Sequence, residues 1–267
     1  MWQFKQIPMT FKHITSRDNP RFKQLKRLSE QAKERRQSGQ TLLDGVHLLE
    51  TYINKFGEPE LLLISEGESQ QEVIDFIQRH QDIPSLMFPS LMFAELSPVA
   101  SPSGVMALVD IPHLAVEPSA QFILLLEDIQ DPGNLGSMMR SAVAAGVEGV
   151  YLSTGCTDAW SPKALRGGQG AQLLLPVVER ADLAQIMHEF NGRVFATAMH
   201  GDNLYQCDMR GATALLMGNE GTGISSGLLQ QAQQTIAIPM HSDLESLNVA
   251  AACAVCLFER VRQVQQA

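Results

Sequence analysis

Cysteine is scarce in this chain, with four residues in 267, too few for a disulfide framework. Cys253 and Cys256 form a C-x-x-C, but it lies in the alanine-rich run Ala250–Cys256. Helical spacing there puts both thiols on one apolar face, which a packed helix explains better than zinc or redox chemistry. Cys156 and Cys207 stand alone. No run approaches the roughly 18 uninterrupted apolar residues of a membrane span. The opening residues, Met1-Trp2-Gln3-Phe4-Lys5, lack the apolar core and small-residue cleavage site of a secretory signal, so a reducing, cytoplasmic setting is expected. No G-x-G-x-x-G is present, and Gly133 and Gly136 have the wrong spacing, which removes a dinucleotide oxidoreductase on a doubly wound sheet. No His, Cys and carboxylate set has ligand spacing, so no metal is expected. Repeats and low-complexity tracts are also lacking.

Positive charge is short as well. Lys and Arg total 20 against 29 Asp and Glu, a net charge of −9; taken alone, this argues against a nucleic-acid binder. The shortage is uneven, however. Residues 1–44 hold ten bases and four acids, a balance of +6, which leaves −15 for the other residues. Such asymmetry suits either a solvated basic helix or a dedicated nucleic-acid or membrane contact.

The hydrophobic fraction of 45% and charged fraction of 18% are those of a globular protein, long enough for one large or two moderate domains. Composition predicts a helix from Ser16 to about Gln37, with Leu25 and Leu28 as its apolar stripe. Strands follow at residues 42–45, 61–65, 85–88 and 105–110, with helices at 46–56 and 71–79 between them. These make a small α/β domain over residues 1–110. Residues 111–120 carry two prolines and no periodicity, and read as a linker. Residues 121–267 alternate again, with strands at 122–127, 149–152, 193–198, 214–217 and 235–238. Helices are expected at 135–145, 162–166, 183–190, 226–233 and 247–263. That alternation predicts a parallel sheet covered on both faces.

Ligands of such sheets sit beyond the carboxyl ends of the strands. The first of those loops reads Asp131-Pro132-Gly133-Asn134-Leu135-Gly136, with Arg140 six residues after Asn134; locally it is a turn with Asn134 as helix cap. The second reads Met217-Gly218-Asn219-Glu220-Gly221-Thr222-Gly223-Ile224. Its glycines suit either a tight turn or a close approach of backbone to a ligand. The third reads Ile238-Pro239-Met240, then Glu245-Ser246-Leu247-Asn248-Val249, where Ser246 is a candidate N-cap and Asn248 a second polar group of the first turn.

Jointly and in this order, the three segments closely resemble the SpoU/TrmH family of SPOUT RNA methyltransferases. Ser161-Pro162-Lys163-Ala164-Leu165-Arg166 matches a further family segment. The resemblance is strong over 122–260 and weaker over 14–110, where Asn19-Pro20, Asp44-Gly45 and Ser103-Gly104-Val105 are similar to the family's substrate-binding domain. Three places depart from the family pattern: Met240-His241-Ser242-Asp243-Leu244 lacks a glycine, Ala250 stands for a serine, and Gly167-Gly168-Gln169-Gly170 replaces a small-residue pattern.

The resemblance implies an α/β fold in which a parallel-sheet domain with a deep trefoil knot follows a small α/β substrate-binding domain. Knotting is an exception to the usual threading rules. It implies a homodimer through the knotted domain, S-adenosylmethionine as methyl donor, and transfer to a ribose 2′-hydroxyl of structured RNA. Ribosomal RNA is favoured over transfer RNA by analogy; a non-catalytic RNA-binding or assembly protein on the same fold is the rival. By position, Thr197, Met217, Gly218, Asn219, Gly221, Ile238, Met240 and Leu247 would hold the cofactor. Asn134, Arg140, Glu220, Ser246 and Asn248 would form the reacting end, with Arg140 as base or orienting donor. Glu220 would act directly or brace its loop. In residues 1–44, Lys23, Lys26, Arg27, Lys33, Arg35 and Arg36 are expected to track phosphates. Phe11 and Phe22 could stack on bases, although apolar anchoring is the favoured reading.

Overall fold

The computed structural model describes residues 11–67, 70–97, 102–241 and 246–266. Lys5 and the segment from Ser242 to Glu245 therefore lie outside the described residues. The chain forms two compact units. One comprises residues up to Pro112 together with Trp160–Leu173, and the other comprises His113–Ala159 with Leu174 onward.

The first unit contains strands β1 (Lys12–His13), β2 (Gln40–Asp44), β3 (Leu61–Ser65), β4 (Ser85–Phe88) and β5 (Val105–Asp110). They lie in the order β1-β4-β3-β5-β2. β1 and β3 run parallel to β4, whereas β5 is antiparallel to both of its neighbours. Its helices are α1 (Pro20–Glu30), α2 (Ala32–Ser38), α3 (Val46–Phe56), α4 (Gln71–Arg79) and α5 (Ser90–Leu96). Phe22, Leu25 and Leu28 of α1 are buried in one cluster with Leu42, Leu63, Phe88 and Leu108. Phe22 lies 6.0 Å from Phe88, ring centre to ring centre, so it anchors the helix and is closed to bases.

The single basic helix expected over 16–37 is two helices. Asn19 caps the first by accepting from the Arg21 N–H at 2.9 Å. Gln31 is extended (φ −119°, ψ 113°) and separates the two, and α2 ends at Gly39, which is left-handed at φ +69°. The break leaves carbonyls at the end of α1 without helical partners. Arg35 supplies the donors: its guanidinium bonds the carbonyl of Leu28 and, at 3.1 Å, that of Ser29. Arg35 is 3% exposed, which takes it off the phosphate-tracking set.

The second unit contains β6 (Phe122–Leu126), α6 (Pro132–Ala144), β7 (Gly149–Leu152), β8 (Val177–Val178), α8 (Leu183–Glu189), β9 (Arg193–Asn203), β10 (Thr213–Met217), α9 (Ser226–Gln231), β11 (Gln234–Ala237) and α10 (Val249–Gln265). The helix α7 (Pro162–Gly168) falls between β7 and β8 in sequence but packs on β2 of the first unit. There Thr41 donates to the Trp160 carbonyl at 2.7 Å. The six strands lie in the order β11-β9-β10-β6-β7-β8, all parallel. Every residue of β6 and β10 is buried, as expected of a sheet covered on both faces.

β9 does not stop near Ala198. Ala196 faces Thr235 and Asp202 faces the next residue, Ile236, so Thr197–Gly201 bulges out of the strand and pairing resumes beyond it. α10 packs against α6 and β10. Its Cys253 and Cys256 are buried, and burial pushes both thiols up, as inert core cysteines. Among the described residues, no helix is long and apolar enough to cross a membrane.

Candidate active site

The loops after β6, β10 and β11 emerge at the carboxyl end of the parallel sheet. Asp131, rather than Asn134, caps α6: its carboxylate accepts the Asn134 N–H at 2.8 Å, with Pro132 in the first turn. Proline favours that position because its missing N–H is not needed there, so the residue before it was the better cap candidate. Asn134 therefore stands inside the first turn with its amide free for other partners.

The Asn134 amide joins the three loops. Its Nδ2 donates to Glu220 Oε1 at 3.1 Å, and its Oδ1 accepts from Asn248 Nδ2 at 3.0 Å. Glu220 also accepts the N–H groups of Gln130 at 3.1 Å and Asp131 at 3.2 Å. Partial burial pushes the Glu220 carboxyl upward, but these hydrogen bonds outweigh it and hold the group below its ordinary range. These three hydrogen bonds tie the turn after β10 to the loop after β6 and the start of α6. Asn248 is the cap of α10, with Oδ1 accepting the N–H groups of Ala250 at 2.9 Å and Ala251 at 3.2 Å. Ser246 is exposed and lies outside the cap.

The glycine-rich segment is a tight turn. Asn219 and Gly223 exchange backbone hydrogen bonds at 3.1 and 3.0 Å, and Gly223 is left-handed at φ +71°. A Cβ on Gly218 would collide with the backbone of Gly223 and Ile224. The Asn219 side chain organises the turn: Oδ1 accepts the N–H groups of Gly221 and Thr222, both at 2.9 Å. Its Nδ2 donates to the Asp128 carbonyl at 2.8 Å. Gly221, by contrast, is exposed.

Of the remaining residues expected at the cofactor, Thr197 opens the β9 bulge and donates to the Leu216 carbonyl at 3.2 Å. Met217 is 2% exposed and its carbonyl accepts the Glu127 N–H, so its side chain belongs to the core. Ile238 is half-buried, whereas Met240 and Leu247 are 39% and 38% exposed despite their apolar character. Arg140 is exposed on α6, and its guanidinium has no hydrogen-bond or ion-pair partner among the described residues. Among those residues, no three His, Cys, Asp or Glu side chains converge as a metal site.

In the first unit, three of the expected RNA contacts are paired with acids: Lys23 with Asp18 at 2.8 Å, Lys26 with Glu95 at 3.1 Å and Arg27 with Glu34 at 3.4 Å. Lys33 and Arg36 on α2 are exposed and have no ionic partner among the described residues. Gln130 and Asp131 escaped the sequence reading as site residues. Asp131 was legible from the proline after it, but Gln130 enters through its backbone and carries no signal.

Comparison with known proteins identifies the family. Residues 121–258 match the SpoU rRNA Methylase family, and residues 19–107 match the MRM3-like substrate binding domain. The chain belongs to the SpoU rRNA methylase family. It is 32% identical to the 23S rRNA (guanosine(2553)-2′-O)-methyltransferase RlmP of Bacillus subtilis, over 92% of this chain and 98% of that one. It is 35% identical to an uncharacterized tRNA/rRNA methyltransferase of Synechocystis, over 94% and 93% respectively. A solved RNA 2′-O ribose methyltransferase superposes with a TM-score of 0.81 at 31% identity, covering 94% of this chain and 98% of that one. The SpoU methyltransferase AviRb of Streptomyces viridochromogenes, solved with AdoMet, gives 0.80 at 26%, covering 93% and 100%.

Proposed function

We propose that the protein transfers a methyl group from S-adenosylmethionine to a ribose 2′-hydroxyl of ribosomal RNA. The observation that carries this reading is the hydrogen-bonded join of Asn134, Glu220 and Asn248, with Arg140 exposed on the same helix, α6, as Asn134. The donor set fits the cofactor: the tight backbone of the Gly218–Gly223 turn offers polar peptide groups, and the exposed Met240 and Leu247 offer apolar cover for a purine. Thr197, Gly218, Asn219, Gly221 and Ile238 would complete the cradle. When bound, the sulfonium supplies an already activated methyl group.

The protein's own residues then orient the acceptor and handle its proton. Asn134 and Asn248 fix the floor of the site, and Glu220 braces it. Arg140 holds an RNA phosphate or the developing alkoxide, the easier task for a guanidinium that stays protonated. Ser246, exposed beside the α10 cap, assists at the hydroxyl. Arg140→Ala should lower methyl transfer about 10²-fold or more while calorimetry finds S-adenosylmethionine bound as in wild type. Methylation of in vitro transcribed 23S rRNA at the wild-type rate would remove Arg140 from the reaction. Transfer RNA run in parallel separates the two substrate classes.

RNA is captured by the first unit through Lys33 and Arg36, with Lys23, Lys26 and Arg27 contributing only when their acidic partners are displaced. Two copies of the second unit associate, and the support is α10, where Phe258 and Val264 are each 45% exposed. The cytoplasm, where ribosomal RNA is processed, is the proposed location.

A further inference from the structure

We infer that Asp128 and Ser153 form a positioning pair that sets the register of the active-site loops; this inference rests on the methyltransferase reading above. Asp128 follows β6 and is left-handed at φ +54°, a conformation that residues other than glycine rarely adopt. Its side chain is exposed, while the next residue, Ile129, is buried and donates its N–H to Cys156 Sγ at 3.4 Å. The hold on Asp128 itself comes from Ser153, just past the end of β7. The Ser153 hydroxyl accepts the Asp128 N–H at 2.9 Å and donates to the Asp128 carboxylate at 2.6 Å. The next turn is shaped around that carboxylate, since a Cβ on Gly155 would collide with it. Gln130 closes the same side, donating through Nε2 to the Gly155 carbonyl at 2.7 Å and the Asp128 carbonyl at 3.1 Å.

The consequence appears on the other side of the segment. With Asp128 left-handed, its carbonyl meets Asn219 Nδ2 at 2.8 Å, and the N–H groups of Gln130 and Asp131 run to Glu220. Asn219 in turn folds the Gly218–Gly223 turn, and Glu220 holds Asn134. A serine hydroxyl on a neighbouring strand end thus reaches both the cofactor loop and the reacting end through one strained residue. Neither Asp128 nor Ser153 is placed against substrate, so both act through others. The contact requires an acceptor at Asp128 rather than a charge. Asparagine supplies that acceptor and tolerates the left-handed region, so Asp128→Asn is the conservative rescue.

The test compares wild type with Asp128→Asn, Asp128→Ala, Ser153→Ala and the Asp128→Ala/Ser153→Ala double variant. Methyl transfer to in vitro transcribed 23S rRNA is measured beside calorimetric binding of S-adenosylmethionine. Asp128→Ala and Ser153→Ala should each lower kcat about ten- to hundredfold with the KM for RNA unchanged. The double variant should lose no more than the worse single variant, as expected of two groups acting as one. Asp128→Asn should stay within about threefold of wild type. Wild-type kcat in Ser153→Ala, losses that multiply in the double variant, or an Asp128→Asn as slow as Asp128→Ala would each overturn the pair. If Asp128→Ala fails to fold, Ser153→Ala and Asp128→Asn decide the matter. A wild-type protein that neither binds S-adenosylmethionine nor methylates RNA overturns the functional reading instead.

Discussion

Replacing Arg35 by alanine removes a buried guanidinium from the carbonyls of Leu28 and Ser29 and leaves the end of α1 unsatisfied. Hydrogen bonds to charged groups contribute about 1.5–3 kcal/mol. Arg35→Ala should therefore lower the urea midpoint by that equivalent with an unchanged slope. Its sequence neighbour Arg36, and Lys33 one helical turn earlier, are exposed. Their double alanine variant should stay within about 0.5 kcal/mol of wild type in stability. It should instead weaken RNA binding and flatten the dependence of affinity on salt by about one unit per lost phosphate contact. A gel-shift titration at several salt concentrations reads both effects. Unaltered affinity in the double variant would remove α2 from RNA capture. Charge along the chain pointed to all six cations equally, but burial and pairing separate them.

Among the elements, the join between the loop after β6, the turn after β10 and the start of α10 depends on the Glu220 carboxylate. Its hydrogen bonds hold it below the ordinary 4.5, so the ionised form is favoured in the folded state. That contribution to stability is complete above the unfolded value and is lost as pH falls through the lower folded one. Urea midpoints of wild type and Glu220→Gln should differ by a constant amount above about pH 5.5 and converge as the pH drops below 4.5; parallel curves down to pH 3 would dismiss the brace. Much of this level was legible beforehand. The spans 46–56, 61–65, 71–79, 85–88 and 105–110 agree with α3, β3, α4, β4 and β5, because Gly, Pro and apolar periodicity punctuate them. The break at Gln31 was not legible, since glutamine breaks no helix by itself and the compensation comes from Arg35 four residues on. Nor could local preference choose Asn248 over Ser246 as a cap, since each is a good cap in isolation, whereas Pro132 singles out Asp131 over Asn134. The polar residues of the three loops could be named from the family resemblance of the three motifs taken together, but which of them bonds which required the fold.

At the scale of the molecule, α7 illustrates a limit of reading by succession. Its sequence lies between β7 and β8, yet it packs on β2, and nothing in residues 162–168 carries that address. The same scale rules out deletion of residues 1–40 as a probe of RNA binding, since Phe22, Leu25 and Leu28 belong to the core of the first unit. Self-association is better tested at α10: wild type should sediment as a dimer and Phe258→Asp as a folded monomer. A wild-type monomer at micromolar concentration would refute the dimer. The order β11-β9-β10-β6-β7-β8 also bears on how the chain is made. β6 is the first strand of its sheet to leave the ribosome, and β7 soon covers one flank. The other flank waits for Thr213–Met217. During that interval an entirely apolar strand presents bare peptide groups along one edge, the arrangement most open to pairing with another chain. A ribosome stalled between β7 and β10 would release a product prone to aggregate, so the centre of this sheet is exposed to the timing of translation.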